Sequence, residues 1–120
     1  MNISIIVPSY NEIDNIEKLL SSIFQINDDF HVFIIDDSND NAIMNVAKKF
    51  HQVNYTYRGK KLGRGSAVIE GMKKVLDETS ADIIIEMDAD FSHDPQELIL
   101  NLKKFTKEKL DLLVASRYKK

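Results

Sequence analysis

Apolar residues along the chain follow two alternating patterns. Short unbroken runs occur at Ile3 to Val7, Val32 to Ile35 and Ile83 to Ile85, the signature of buried strands. Val53 to Tyr57 adds a further strand, because its β-branched and aromatic residues favour extended backbone. Between these runs apolar residues recur every three or four positions: Ile13, Ile16, Leu19, Leu20, Ile23 and Phe24, then Ile43, Val46, Ala47 and Phe50. The same spacing returns at Val68, Ile69, Met72, Val75 and Leu76, and again at Leu98, Ile99, Leu102 and Phe105. It predicts amphipathic helices, each turning those residues inward. A last strand is predicted over Leu112 to Ala115.

Punctuating residues set the expected boundaries. Pro8 closes the first strand, Asn11 and Asp40 cap the first two helices, Ser66 opens the third, and Asp94 with Pro95 starts the fourth. Alternation of strand and helix from end to end predicts an α/β fold: a Rossmann-like, mainly parallel sheet with helices on both faces. Ligands of such sheets bind at the carboxyl ends of the strands. A length of 120 residues supports one hydrophobic core, so a single domain over residues 1–120 is expected.

Charge narrows the partners. The net charge of -3 comes from 19 acids and 16 bases spread along the chain, which leaves no basic face for nucleic acid. The absence of Cys excludes disulfides and thiolate zinc sites and fits a reducing, cytoplasmic compartment. The apolar start is too short for a signal core and no later run reaches membrane-spanning length, so any membrane contact is expected to be peripheral.

The polar residues that carry chemistry sit at the predicted strand ends. Tyr10 and Glu12 follow the first strand, Asp36 and Asp37 the second, and Asp88 and Asp90 the fourth. Asp88-Ala89-Asp90 has the spacing that lets two carboxylates share one Mg²⁺ or Mn²⁺, since residues two apart in extended backbone project to the same side. Arg58 to Ala67 combines close-approach glycines at 59, 63 and 65 with four cations and a helix start, a combination suited to a pyrophosphate. Neither a dinucleotide fingerprint nor a P-loop is present, because Val68 stands where a third glycine would fall and no Lys-Ser/Thr ending follows. Asp36 and Asp37 can accept from ribose hydroxyls or base amino groups, or Asp36 can simply end its strand. Tyr10 can stack on a base with Glu12 at a polar edge, and Arg117, after the last strand, can reach a phosphate.

Five segments in order, Val7 to Glu12, Ile35 to Asp40, Lys61 to Ala67, Met87 to Pro95 and Ala115 to Tyr118, resemble the successive motifs of family-2 glycosyltransferases. Within that family the chain is most similar to dolichyl-phosphate or polyprenyl-phosphate mannose synthases. The resemblance implies a GT-A fold binding a nucleotide-sugar, GDP-mannose or a UDP-sugar, with Pro8, Tyr10, Glu12 and Asp37 around the nucleoside. It places Lys61, Gly63 and Gly65 at the phosphates together with Arg117, and gives Asp88 and Asp90 the metal and a catalytic role. Arg64 stands where many relatives carry a small or apolar residue, and Ser92 where some carry Gln. The implied reaction is inverting hexosyl transfer to a polyprenyl or dolichyl phosphate at the cytoplasmic membrane surface. Relatives continue beyond the Ser-Arg-Tyr segment with an acceptor-binding half that these 120 residues lack. A partner subunit or a second copy would then supply the acceptor platform; otherwise the chain is a nucleotide-sugar-binding subunit or remnant without turnover of its own.

Overall fold

A computed structural model of the protein describes residues 2–89. Four strands and three helices follow one another: β1 (Ile3–Ser9), α1 (Ile13–Ile26), β2 (His31–Asp36), α2 (Ile43–Ala47), β3 (Val53–Tyr57), α3 (Arg64–Glu78) and β4 (Ile83–Glu86). The strands form one sheet in the order β3-β2-β1-β4. All three neighbouring pairs are parallel. The helix expected over 95–105 and the strand expected over 112–115 lie outside the described residues.

The unbroken apolar runs are explained by burial on both faces. Every residue of β1 is buried, which only a central strand covered on each side requires. Ile3, Ile5 and Val7 turn to one side, where they meet Val32, Ile34 and the α1 residues Ile16, Leu19, Leu20 and Ile23. Ile43 of α2 joins the same cluster, and Val46 packs against it. Ile6 turns to the other side and packs with Phe33 and with Val75 of α3. Each fully buried Ile or Leu contributes about 1.5–3 kcal/mol relative to exposure, so these two layers dominate the favourable side of folding.

Four boundaries differ from expectation, each for a local reason. Pro8 lies inside β1, paired with Ile35. Peptide groups alternate sides along a strand, and the Ile6 carbonyl accepts from Met87 on the β4 side. The nitrogen of Pro8 therefore faces a side where pairing with β4 has already ended at Ile6, and its missing donor costs nothing. The N-cap of α1 is Glu12 and that of α2 is Ala42, neither with a side-chain cap. Asp40 instead accepts from the Ala42 N–H at 3.0 Å and braces the turn before α2. The third helix begins at Arg64, two residues before Ser66.

α3 also presents a different face from the one predicted. Ala67, Val68, Gly71 and Val75 are buried, while Ile69, Met72 and Leu76 are exposed. Gly71 accounts for this orientation. A Cβ at that position would sit 2.6 Å from Ile6 Cγ2, so only glycine lets the helix lie this close to the central strand. Periodicity marked a stripe of large residues, and the small ones define the contact.

Gly71→Val is therefore expected to lower stability by roughly 2–3 kcal/mol through overpacking against Ile6. Gly65→Ala, with nothing within 4 Å of the added carbon, should be neutral or stabilising by up to about 1 kcal/mol. Urea midpoints of the two variants against the parent measure both effects; equal midpoints for the two variants would contradict the packing.

Candidate functional site

The order β3-β2-β1-β4 sets β2 on one side of β1 and β4 on the other, so the direction in which strands are added reverses between β1 and β4, a topological switch point. The loops that follow β1 and β2 are tied together there. Asn11 adopts a left-handed backbone at φ 54, a conformation that Asn tolerates better than most residues. Its N–H donates to Ser38 Oγ at 2.7 Å, and its Oδ1 accepts from the Asn39 N–H at 3.2 Å. Its role is thus to join two loops and not to cap a helix.

The two adjacent acids of the second loop have different environments. Asp36 is fully buried and accepts from the Ser38 N–H, the Ser38 hydroxyl and the Tyr55 hydroxyl, the last at 2.6 Å. Burial, reinforced by Asp36, raises the Tyr55 phenol far above its usual range, so it remains a donor. Of the two sequence readings for Asp36, the strand-ending one holds.

Asp37 faces the other way and is held by Arg58. Nε and Nη2 of Arg58 donate to the two carboxylate oxygens at 2.6 and 2.7 Å, and only 5% and 6% of the two side chains is exposed. Oδ2 of Asp37 also accepts from the N–H groups of Leu62 and Gly63, at 3.0 and 3.2 Å. The same guanidinium donates to Ser66 Oγ and to the Gly63 carbonyl. Desolvation pushes the Asp37 pKa up, yet the Arg58 hydrogen bonds and charge and the two loop N–H groups together outweigh it, and the net shift is downward. One buried ion pair thereby sets the path of the loop over residues 59–63 and the start of α3. Gly63, with φ 103, supplies a backbone that other residues rarely adopt just before α3 begins.

Around this framework lies a pocket of about 370 Å³ lined by Pro8, Ser9, Tyr10, Glu12, Asp37, Lys61, Gly63, Arg64, Ala67, Asp88 and Ala89. Its volume suits a small-molecule ligand. Seven sequence-predicted residues meet there: Pro8, Tyr10, Glu12, Asp37, Lys61, Gly63 and Asp88. Gly65 lies in the first turn of α3 and is not part of the lining, and Asp90 and Arg117 lie outside the described residues. Lys61 Nζ stands 4.7 Å from the centre of the Tyr10 ring, which brings a cation and an aromatic face to one wall. Glu12 accepts from the Asn15 side chain at 2.9 Å. Ser9 contributes a buried hydroxyl without a hydrogen-bond partner in the described structure.

Arg64, the first residue of α3, crosses the pocket to the end of β4. Its Nε donates to Asp88 Oδ1 at 2.7 Å and its Nη2 pairs with Glu86. Burial lowers the Arg64 pKa, but Asp88 and Glu86 more than offset this and the net shift is upward. Among the described residues no three acidic or histidine side chains converge on a ready-made metal cage. Asp88 nonetheless offers a hard oxygen donor at the pocket wall, and Mg²⁺ or Mn²⁺ needs only one or two carboxylates when phosphates and water complete its shell. Asp88 is thus one donor of the kind such an ion takes.

Sequence reasoning missed Arg58 as the partner of Asp37 and Ser9 and Ala89 as lining. The rule that points to the acids also covers Arg58, since it follows directly after β3.

A family model described as glycosyl transferase family 2 matches residues 4–120. The dolichol-phosphate mannosyltransferase of Pyrococcus furiosus is 34% identical across the whole of this chain, which covers 34% of that protein. The undecaprenyl-phosphate mannosyltransferase of Micrococcus luteus is 31% identical over 98% of this chain and 49% of its own length. The chain thus spans a third to a half of the curated relatives it matches. Glucosyl-3-phosphoglycerate synthase from Mycobacterium tuberculosis, solved in complex with Mn²⁺, UDP and glucosyl-3-phosphoglycerate, superposes with a TM-score of 0.63 over 88% of this chain and 39% of its own, at 23% identity. The expected GT-A fold is borne out.

Arg58→Ala should cost about 3–5 kcal/mol, because it strands the Asp37 carboxylate in a nearly dry site. Arg58→Lys should cost less while losing the two-pronged contact. The folded pKa of Asp37 lies below its ordinary 3.8, so its charge stabilises the fold fully above that value and the contribution disappears as pH falls through the folded pKa. Urea midpoints from pH 7 down to 3 should accordingly fall less steeply for Asp37→Asn, a less stable protein at neutral pH, than for the parent.

Proposed function

From the chain's membership of glycosyltransferase family 2 we propose that residues 1–120 form one domain that binds a nucleoside-diphosphate sugar, GDP-mannose foremost, for transfer to a polyprenyl phosphate. The observation that carries the reading is the convergence of four strand-end segments on one pocket: Pro8 to Glu12, Asp37, Lys61 to Arg64, and Asp88 with Ala89. Tyr10 supplies a ring of the right kind to stack on a base, and Glu12 a polar edge beside it. Asp37 bounds that end of the pocket and keeps the glycine loop in place. Lys61 and the N-terminus of α3 direct positive charge toward the diphosphate. Arg117, outside the described residues, would be a further phosphate contact.

Asp88 and Asp90 would hold a Mg²⁺ or Mn²⁺ ion, which supplies charge neutralisation for the departing nucleoside diphosphate. Transfer would proceed with inversion: a phosphate oxygen of the acceptor bonds to the anomeric carbon, and the bond to the diphosphate oxygen breaks with its electron pair. A phosphate monoester with a second pKa near ~6 is largely ionised at neutral pH, so no side chain of the pocket has to take a proton from it. Among the described residues no helix is long and apolar enough to cross a membrane. A polyprenyl-phosphate acceptor is carried by the membrane, so transfer would take place at its surface.

Calorimetric titration with GDP-mannose, UDP-glucose and GDP, each with and without Mn²⁺, tests the donor site. Binding should be metal-dependent, and Asp88→Ala or Asp90→Ala should weaken it by at least ~10-fold, the scale of one lost charged contact. No binding of any of these ligands would overturn the reading. Transfer to a short polyprenyl phosphate by the purified chain separates an active enzyme from a binding subunit.

A further inference from the structure

Arg64 is the pocket residue that the donor-site reading leaves without a task. It lines the pocket between Gly63 and Asp88. Its guanidinium is salt-bridged to Asp88 through Nε at 2.7 Å and to Glu86 through Nη2, so it spans the acid that ends β4 and the one two residues later. Its side chain is 47% exposed, which leaves it room to move. Asp88 is the carboxylate assigned above to the divalent cation. Arg64 holds one of the two Asp88 oxygens, so an ion taken up by the same carboxylate would face the guanidinium within a few ångströms, and the two positive charges would repel.

We propose that Arg64 and the divalent cation compete for the Asp88 carboxylate, so that each weakens the hold of the other and metal entry favours displacement of the guanidinium. Glu86 retains the displaced side chain at the pocket mouth, next to the start of α3, where the diphosphate of a bound donor would lie. In the metal-free chain the same arginine neutralises Asp88 and, with Lys61, presents positive charge to a phosphate group. Arg64 is in this way an antagonist of the ion at Asp88 and a direct contact of the donor. The proposal rests on the metal assignment of Asp88, and its test separates the two.

Electron paramagnetic resonance of free Mn²⁺, titrated with protein in the absence of nucleotide, reads the competition without any activity measurement. Arg64→Ala should bind Mn²⁺ about tenfold more tightly than the parent, and Arg64→Lys should fall between them, as a point charge lacking the fork that reaches both acids. Arg64→Gln, which keeps length and helix propensity, serves as the second variant if the alanine form does not fold. Calorimetry with GDP and chelator should show the opposite order, with the arginine variants binding more weakly. A parent and an Arg64→Gln chain with equal Mn²⁺ affinity would overturn the competition while leaving the metal assignment intact. No Mn²⁺ binding by either chain would overturn both.

Discussion

The guanidinium of Arg58 grips both oxygens of the Asp37 carboxylate in a contact nearly closed to solvent, and the geometry of the pocket descends from it. Asp37 is anchored because it directly follows β2, and Arg58 because it directly follows β3, its N–H extending the ladder to the Asp36 carbonyl. With both partners fixed by the sheet, the remaining donors of Arg58 and the remaining acceptor sites of Asp37 dictate where Leu62, Gly63 and Ser66 stand. Those residues in turn aim the start of α3. A buried pair of this kind is a poor source of net stability, since desolvation cancels much of the attraction. Its value here lies in orientation: it leaves the loop one low-energy path.

The sheet supplies the other half of the placement. β1 is central, buried on both faces, and its end meets the end of β4 at the switch point. Gly71 lets α3 settle against Ile6, and this close approach carries Arg64 and Ala67 to the pocket wall. Asn11 joins the first two strand-end loops, and Asp36 with Tyr55 seals the base beneath them. The site is therefore a consequence of packing several layers away from it.

Much of this was legible from residue order. Unbroken apolar runs identified the strands because parallel strands covered by helices have no polar face, and the strand-end rule gathered Tyr10, Glu12, Asp37 and Asp88. What was hidden depends on partners distant in sequence. Nothing local distinguishes Asp36 from Asp37, yet one meets Tyr55 and the other Arg58, nineteen and twenty-one positions on. The inner face of α3 was misassigned because hydrophobic size was followed where close approach favoured Ala67 and Gly71. Asn11 and Asp40 have the chemistry of helix caps, but each spends it on a neighbouring turn.

Family membership and pocket geometry both support the proposed donor site at the carboxyl ends of the strands. On that proposal a base would meet Tyr10, a diphosphate the cations and the start of α3, and an ion Asp88. The most direct test is a nitrogen-15 amide correlation spectrum of the labelled chain, titrated with GDP in the presence of Mg²⁺. The account predicts that the largest shifts fall on residues 9–12, 37–39, 61–67 and 86–89, with the outer turns of α1 unmoved. Shifts centred anywhere else on the chain, or none at saturating nucleotide, would contradict it.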